Sequence, residues 1–468
     1  MDPLIAGLQA IVGTRHCLTE PEALTPFLSD WRGIYRGKAR AVALPGTVAE
    51  VQATVRLARQ HRVPIVPQGG NTGLSGGATP DDGGTAIVLA LKRLNHVRAI
   101  DPLNNSMVAE AGCILADLQQ AASVADRLFP LSLAAEGSCQ IGGNLATNAG
   151  GINVLRFGNA RDLCLGLEVV LPDGTLSSRL SALRKDNSGY DLKHWFIGSE
   201  GTLGIITAAA LKLFPKPLAR ATAIVALTDL DASPRLLARC RAGLADQLVS
   251  FELLPRFGIE LGRRFVPGLT WPLERLADWS ILIEANTSSA AFDIRAAMEH
   301  TLGAALEEGE IADAAVASSE AQSLAMWRLR EGIVEGQHQS GANIKHDVSV
   351  PVAAVPAFMK AGFDAVRGAW PEARLLAFGH LGDGNIHFNL VQPEQESKER
   401  FLARTEAMNR LVHDVVERFG GSISAEHGIG QLRRTELHRR KPPAELDLMR
   451  RIKRLIDPED LMNPGKLV

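Results

Sequence analysis

The sequence predicts an α+β protein of several domains, and three observations predict it. The chain is 468 residues long, more than one hydrophobic core ordinarily spans. Its opening third alternates helix-like and strand-like patches around three glycine-rich loops, and past the run Leu-Phe-Pro-Lys-Pro at 213–217 it settles into strand, helix, strand, helix. The formal net charge is −2, with 22% charged and 46% hydrophobic residues. That is the balance of a water-soluble enzyme, with no basic stripe to serve as a nucleic-acid footprint.

The elements follow in order. The apolar spacing of VAEVQATVRLARQHR (48–62) suits an amphipathic helix, and the short apolar run 63–67 suits a buried strand. Glycine then concentrates at 68–77 (QGGNTGLSGG), 136–151 (EGSCQIGGNLATNAGG) and 198–206 (GSEGTLGII). Two prolines within 215–217 fit neither a helix interior nor a central strand, so a first domain is expected to end at 217. Beyond it ATAIVAL, SPRLLARCRAGLA, WSILIEAN and FDIRAAMEHTLGAAL read as alternating strands and helices, followed by a long helix from Ser319 to Ser340 and a strand NIKHDVSV. This pattern predicts a second domain over 218–415, ferredoxin-like with an antiparallel sheet. A third segment, 416–468, completes the chain. The start, MDPLIAGLQAIVG, lacks a basic leader, and no run approaches the roughly 18 apolar residues of a membrane span. A cytoplasmic protein is expected. Five scattered cysteines without a CxxC pair argue against an iron–sulfur site or a zinc knuckle.

Clustered glycines let a backbone turn at positive φ and bring N–H groups close to an anion, which is how a loop cradles a pyrophosphate. The guest they suggest is a dinucleotide. None of the loops matches the GxGxxG fingerprint or GxxxxGK[ST], so neither a nicotinamide site nor a P-loop is supported. Gly73-Leu74-Ser75-Gly76-Gly77 matches the GxSxG elbow of serine hydrolases, but the residues that follow, ATPDDGG, are poor helix formers and that motif requires a helix.

The runs PIVPQGGNTGLSGG, GSCQIGGNLATNAGG and NSGYDLKHWFIGSEGTLGIIT resemble the two-part FAD-binding domain of the vanillyl-alcohol oxidase and para-cresol methylhydroxylase flavoprotein superfamily. The likeness covers nearly the whole chain. It implies that Pro67, Gly69, Gly70, Asn71, Thr72 and Gly73 hold the FAD pyrophosphate. By the same likeness Ser138, Gly142, Gly143, Asn144, Thr147, Asn148 and Gly151 run beside the isoalloxazine and ribityl chain, and Gly201 and Ile206 lie toward the adenine. Neither of the first two loops contains a histidine, so the FAD is expected to be non-covalent.

In FGHLGDGNIHFNL, His380 and His387 flank a Gly-Asp-Gly turn that can fold two imidazoles onto one point, and period-2 alternation puts His387 and Asn389 on one face of the next strand. With Glu426 they make a set of two imidazoles and one carboxylate for one divalent ion, zinc first, with manganese, iron or cobalt as alternatives. His427, beside a ligand but pointing the other way in an extended segment, suits a general base. These motifs look like those of the D-2-hydroxyglutarate dehydrogenase and D-lactate dehydrogenase branch, in which GH-x-GDGN-x-H and EHG carry the metal and the catalytic histidine. The terminal LMNPGKLV is similar to that branch too, and implies that Asn463 lies near FAD in a segment returning to the flavin domain.

Such chemistry is the oxidation of a D-2-hydroxy acid. A metal chelated by hydroxyl and carboxylate lowers the hydroxyl pKa, and an imidazole with an ordinary pKa of about 6.5 can take the proton. Arg330 and Lys345 are candidates for the substrate carboxylate, Lys345 projecting with Asp347 from the polar face of its strand. The hydroxyglutarate-specific relatives place a threonine four residues after the arginine, where this chain has Val334. The lost hydroxyl can shift preference toward another hydroxy acid, while Arg330 and Lys345 are kept; D-2-hydroxyglutarate or D-malate is favoured, with D-lactate as the rival. Remoter alternatives are a metal-free oxidase of the same fold, a metal-dependent hydrolase and a non-catalytic nucleotide-binding protein. The electron acceptor is expected to be a soluble carrier such as an electron-transfer flavoprotein, or a quinone-linked partner; the oligomeric state stays open, a homodimer included.

Overall fold

A computed structural model describes residues 2–468, which divide into two compact units. The first comprises the chain up to Gly151, Gly158–Lys216 and Glu426–Val468; the second comprises Ile152–Phe157 and Pro217–Ala425. No helix among the described residues is long and apolar enough to cross a membrane.

In the first unit the strands Ala41–Ala43 and Ile65–Gln68 flank Ile87–Ala90 in parallel register. Such strands are covered on both faces and so read as unbroken apolar runs rather than alternating ones. The Val48–Gln60 helix links the first two, and its Thr47 cap accepts a hydrogen bond from the Glu50 N–H at 3.1 Å. A separate five-stranded antiparallel sheet runs in the order Val97–Asp101, Ser106–Glu110, Ile205–Lys212, Cys164–Val170, Leu176–Arg179. The C-terminal residues join the parallel sheet from outside: the Ile65 N–H donates to Leu461 O and the Asn463 N–H to Ile65 O, both at 2.8 Å.

The second unit is built on one eight-stranded antiparallel sheet. Its first four strands, Ala219–Leu227, Leu248–Pro255, Trp279–Thr287 and Ile311–Val316, with the helices Ser233–Leu244 and Ile294–Glu307, form the expected ferredoxin-like arrangement. Arg374–His380 pairs with Leu248–Pro255 and extends the sheet to Asn385–Val391. Alternation sorts the side chains into two cores. Ala223, Val225, Phe251, Leu253, Ile281 and Ile283 pack with those two helices, whereas Ile224, Leu254, Leu282, Leu376 and Phe378 pack with Met326, Leu329 and Ile333. These last three lie on the 20-residue helix Glu320–Gln339, capped by Ser319, where the sequence placed a long helix.

Three features differ from the sequence expectation. Residues 416–425 count with the second unit rather than with the C-terminal segment, because the Thr405–Arg418 helix buries Met408, Val412 and Val416 in its core and Ser422 bridges to Ser349. Ile152–Phe157 joins the same unit, where Ile152 O accepts from Ser250 Oγ at 2.7 Å and Asn286 O from Arg156 Nη1 at 2.9 Å. NIKHDVSV is two short strands, Asn343–Ile344 and Asp347–Ser349. The His346 N–H donates to the Asn389 side-chain oxygen instead of continuing the ladder, and Asp347 is buried, accepting from Asn385 Nδ2, rather than sharing a solvated face with Lys345.

All five cysteines are buried and unbridged. Burial pushes the thiol of Cys113 up to about 11 and those of Cys164 and Cys240 to about 12. Reactivity belongs to the thiolate, so the native protein at pH 8 is expected to show no fast-reacting thiol toward an aromatic disulfide reagent and all five after unfolding. One rapid thiol in the native state would contradict this packing.

Candidate active site

The first unit contains a cleft lined by residues of all three glycine-rich loops. From the sequence-derived set it is lined by Pro67, Gly69, Gly70, Asn71, Thr72 and Gly73, by Gly142, Gly143, Asn144 and Thr147, and by Gly201 and Ile206. Two observations show that its walls suit a polar guest. Gln140 Oε1 and Asn144 Oδ1 are buried without a hydrogen-bond partner, an arrangement proteins keep where a ligand or water completes the bond. A Cβ built on Gly73 or Gly143 meets nothing within 4 Å, so these backbones border open space. Those features fit a dinucleotide laid along the loops.

Four residues of that set do not line the cleft. Ser138 is exposed. The Asn148 side-chain oxygen accepts from the Arg161 N–H, and the Gly151 N–H donates to Glu426 Oε1 at 2.5 Å. Asn463 is buried and donates from Nδ2 to Gly77 O and Glu200 O at 2.9 and 2.7 Å, so it fastens loops that border the cleft instead of bordering it. Glu200, which the sequence reading passed over, also lines the cleft. Its carboxylate receives the N–H groups of Ile429 and Gly430, both at 2.7 Å; burial nevertheless raises its pKa, with these bonds and Arg433 acting against the shift.

The same contacts position His427. Ser75 Oγ donates to His427 O at 3.1 Å, Arg433 Nη1 donates to Ser75 Oγ at 2.8 Å, and the Gln431 N–H donates to Ser75 O at 2.9 Å. The serine of the false hydrolase elbow therefore pins the backbone of the His427 segment to the first glycine loop. His427 lines the cleft together with those loops, and among the described residues it is the only histidine to do so.

In the second unit the sheet face beneath the Glu320–Gln339 helix gathers the other candidates. His380 and His387 lie with ring centroids 5.5 Å apart, joined by a turn whose Gly384 adopts φ +84°, where an added Cβ would meet Val350 O at 2.1 Å. His380 Nδ1 lies 2.6 Å from Glu252 Oε1, and Arg330 Nε donates to Glu252 Oε2 at 2.8 Å. Glu252 is 1% exposed; burial works against its charge, but His380 and Arg330 outweigh it and hold the carboxyl at about 2. Burial likewise raises Asp383 to about 6, opposed by His380. The Arg330 guanidinium also lies 4.8 Å over the Phe378 ring. Asn389 Oδ1 accepts from the His346 N–H and Nδ2 donates to Gln337 Oε1. Val334 is 41% exposed, next to Arg330 on the helix surface, and Lys345 is half-buried in the break between the two short strands.

Glu426 and His427 belong to the first unit and the histidine pair to the second. Within the second unit, the N–H of Ala425 donates to Asp347 O at 3.1 Å, and Asp347 is paired in register with His387. The donor set has the chemistry of a metal centre, since a ligating histidine commonly gives its other ring N–H to a carboxylate, and His380 Nδ1 lies 2.6 Å from Glu252 Oε1. Glu252 itself was legible only as a lone charge inside the apolar strand LVSFELLP, all eight residues of which are buried.

Residues 216–467 match the family model of FAD linked oxidases, C-terminal domain, and residues 39–178 match an FAD binding domain that contains the first two glycine loops. A D-2-hydroxyglutarate dehydrogenase of Xanthomonas citri pv. viticola is 39% identical over 466 residues, spanning 100% of this chain and 97% of that protein. The chain belongs to the FAD-linked oxidase family. A mitochondrial D-2-hydroxyglutarate dehydrogenase of Arabidopsis thaliana is 35% identical, over 99% of this chain and 81% of the relative. Substrate-bound p-cresol methylhydroxylase shares the fold, with a TM-score of 0.76 at 15% identity, over 99% of this chain and 96% of that one. This FAD-linked oxidase is thus an FAD-dependent oxidoreductase with the α+β fold that the glycine loops implied.

The cleft predicts opposite outcomes for neighbouring glycines. Gly143→Phe places a ring in the open space and is expected to yield a colourless protein with unchanged far-ultraviolet circular dichroism. Gly142→Ala brings a methyl to 2.6 Å from Ala111 Cβ and is expected to lower stability by about 1–3 kcal/mol, as overpacking does. A G143F protein that retained stoichiometric flavin would place the cofactor elsewhere.

Proposed function

We propose that this flavoprotein oxidises a D-2-hydroxy acid to the 2-oxo acid with non-covalent FAD and one divalent metal, acting on D-2-hydroxyglutarate or D-malate in preference to D-lactate. The observation that carries the reading is the place of His427, an imidazole on the wall of the cleft whose other walls are the flavin loops. The names of the two relatives support the substrate class.

In this reading the cleft loops hold FAD, which supplies the two-electron acceptor chemistry. His380, His387 and Glu426 would hold the metal, zinc first and manganese, iron or cobalt next, and it would supply Lewis-acid chemistry to the substrate's hydroxyl. His427 Nδ1 or Nε2 takes the hydroxyl proton as the C–H bond breaks. Ser75 holds the main chain that carries the ring beside the cleft. Arg330 binds the substrate's far carboxylate with its terminal nitrogens and Lys345 adds a second cation. Asn389, with one Nδ2 hydrogen beyond its bond to Gln337, orients the substrate's polar end. The proposed electron acceptor is a soluble electron-transfer flavoprotein or a quinone-linked partner.

Anaerobic titration of the purified, metal-supplemented flavoprotein with D-2-hydroxyglutarate, D-malate and D-lactate tests this directly. Bleaching of the oxidised-flavin band by D-isomers and not by L-isomers is the expected result, and a band that no hydroxy acid bleaches refutes the reaction. H427N is expected to keep the flavin band and lose about 10²–10⁴-fold in the rate of bleaching, the usual scale for a general base.

Val334 is the one specific reason to weigh D-lactate, since a valine gives a diacid no hydroxyl. V334T is expected to raise kcat/KM for D-2-hydroxyglutarate relative to D-lactate by up to about tenfold, the worth of one added hydrogen bond. An unchanged ratio removes position 334 from substrate discrimination.

A further inference from the structure

We infer that Glu252 is a positioning residue that sets both the metal-binding atom of His380 and the direction of the Arg330 guanidinium, coupling the metal to the grip on the substrate's carboxylate. The inference rests on the reading of His380 as a ligand and Arg330 as a carboxylate binder, and adds a residue that neither role implies.

Glu252 lies opposite His380 in the pairing of Leu248–Pro255 with Arg374–His380. Strand register therefore fixes the two side chains on one face. Each carboxylate oxygen has its own partner, Oε1 at 2.6 Å from His380 Nδ1 and Oε2 at 2.8 Å from Arg330 Nε. An ionised carboxylate only accepts. The His380 proton must then sit on Nδ1, which leaves the lone pair on Nε2 for a cation. On the other side, Glu252 takes the Nε–H of Arg330, and among the described residues Nη1 and Nη2 donate to no protein group. With its central carbon 4.8 Å over the Phe378 ring, the guanidinium keeps its two-nitrogen fork for a second carboxylate. One anion thus selects a tautomer and aims a fork at the same time.

A glutamine at 252 cannot do both. Its amide offers one acceptor and two donors, so whichever way it lies its NH2 faces either His380 Nδ1 or Arg330 Nε. Facing His380, it drives the proton to Nε2 and removes the lone pair from the metal side; facing Arg330, it releases the fork.

The test measures metal affinity, by competition with a chromophoric chelator on the FAD-loaded protein using Zn2+ and Mn2+, and KM for the best D-2-hydroxy acid at saturating metal. The variants are E252Q, E252D and H380N. Expected for E252Q is metal binding about 10–100-fold weaker, the range for loss of a histidine's hydrogen-bond partner, with a raised KM and unchanged flavin content. E252D, which keeps the charge, recovers part of the lost affinity. R330M/E252Q leaves no cation buried alone and carries the metal measurement on a background free of that destabilisation. If H380N loses the metal while E252Q matches wild type in affinity and KM, Glu252 is structural only and this inference falls, with the site reading intact. If H380N binds metal as tightly as wild type, the site reading falls and takes the inference with it.

Discussion

A carboxylate sealed from water, held by a hydrogen bond to one side chain and an ion pair with another, is what the polar face of the second unit depends on. Glu252 stands in a strand whose other residues are apolar or small and wholly buried. The desolvation of such a charge is worth several kcal/mol, offset only if partners of good geometry satisfy it. His380 and Arg330 supply that geometry from two different elements, the neighbouring strand and the helix laid across it. Taking away Arg330 would leave the carboxylate without its counter-charge, a loss of about 3–5 kcal/mol. The same arithmetic explains why Glu284 on the adjacent strand, also buried, receives Trp327 Nε1 and has Arg220 nearby. The helix Glu320–Gln339 therefore covers its sheet with a mixture of apolar contacts and directional polar ones, and the directional ones fix its register.

Much of this was legible in the sequence where one local rule decides the outcome. Ser319 and Ser340 bracket the long helix because serine caps a helix start readily and ends one without strain. The glycine loops could be assigned to a nucleotide cleft because open backbone at several places has few other uses. His387 and Asn389 share a face because strand alternation is rigid. What stayed hidden needed tertiary information. Nothing local says that Asn389 will spend its oxygen on the His346 N–H and split NIKHDVSV in two. Glu252 looked like one more acid because its two partners lie 78 and 128 residues away. Asn463 lies in the first unit, and its Nδ2 donates to the backbone of Gly77 and Glu200 rather than to the cleft.

The first unit solves a different problem, which is to hold a histidine beside a cofactor cleft without using a long rigid element. The 426–433 segment has little regular structure. Glu200 takes two of its N–H groups, Ser75 takes two more and gives its hydroxyl to His427 O, and Arg433 closes the ring. Hydrogen bonds to backbone thus fix the main chain that carries the imidazole. Such a loop tolerates sequence change at exposed positions yet is sensitive at Ser75 and Glu200, neither of which carries chemistry in the proposed reaction.

Neither unit is continuous in the chain, and that bears on the order in which the protein can assemble. Ile65–Gln68 finds its outer neighbour only when Leu461 to Asn463 arrive, and Asn463 lies 386 residues beyond the Gly77 carbonyl it holds. A polypeptide emerging from a ribosome would have all of Pro217–Ala425 available before the last stretch that completes the parallel sheet. The N-terminal half must wait with a sheet edge open while the insert between its halves folds. Vectorial synthesis here runs against the usual first-in, first-folded sequence, and the final residues, far from being a tail, act as the latch that closes the nucleotide-binding half.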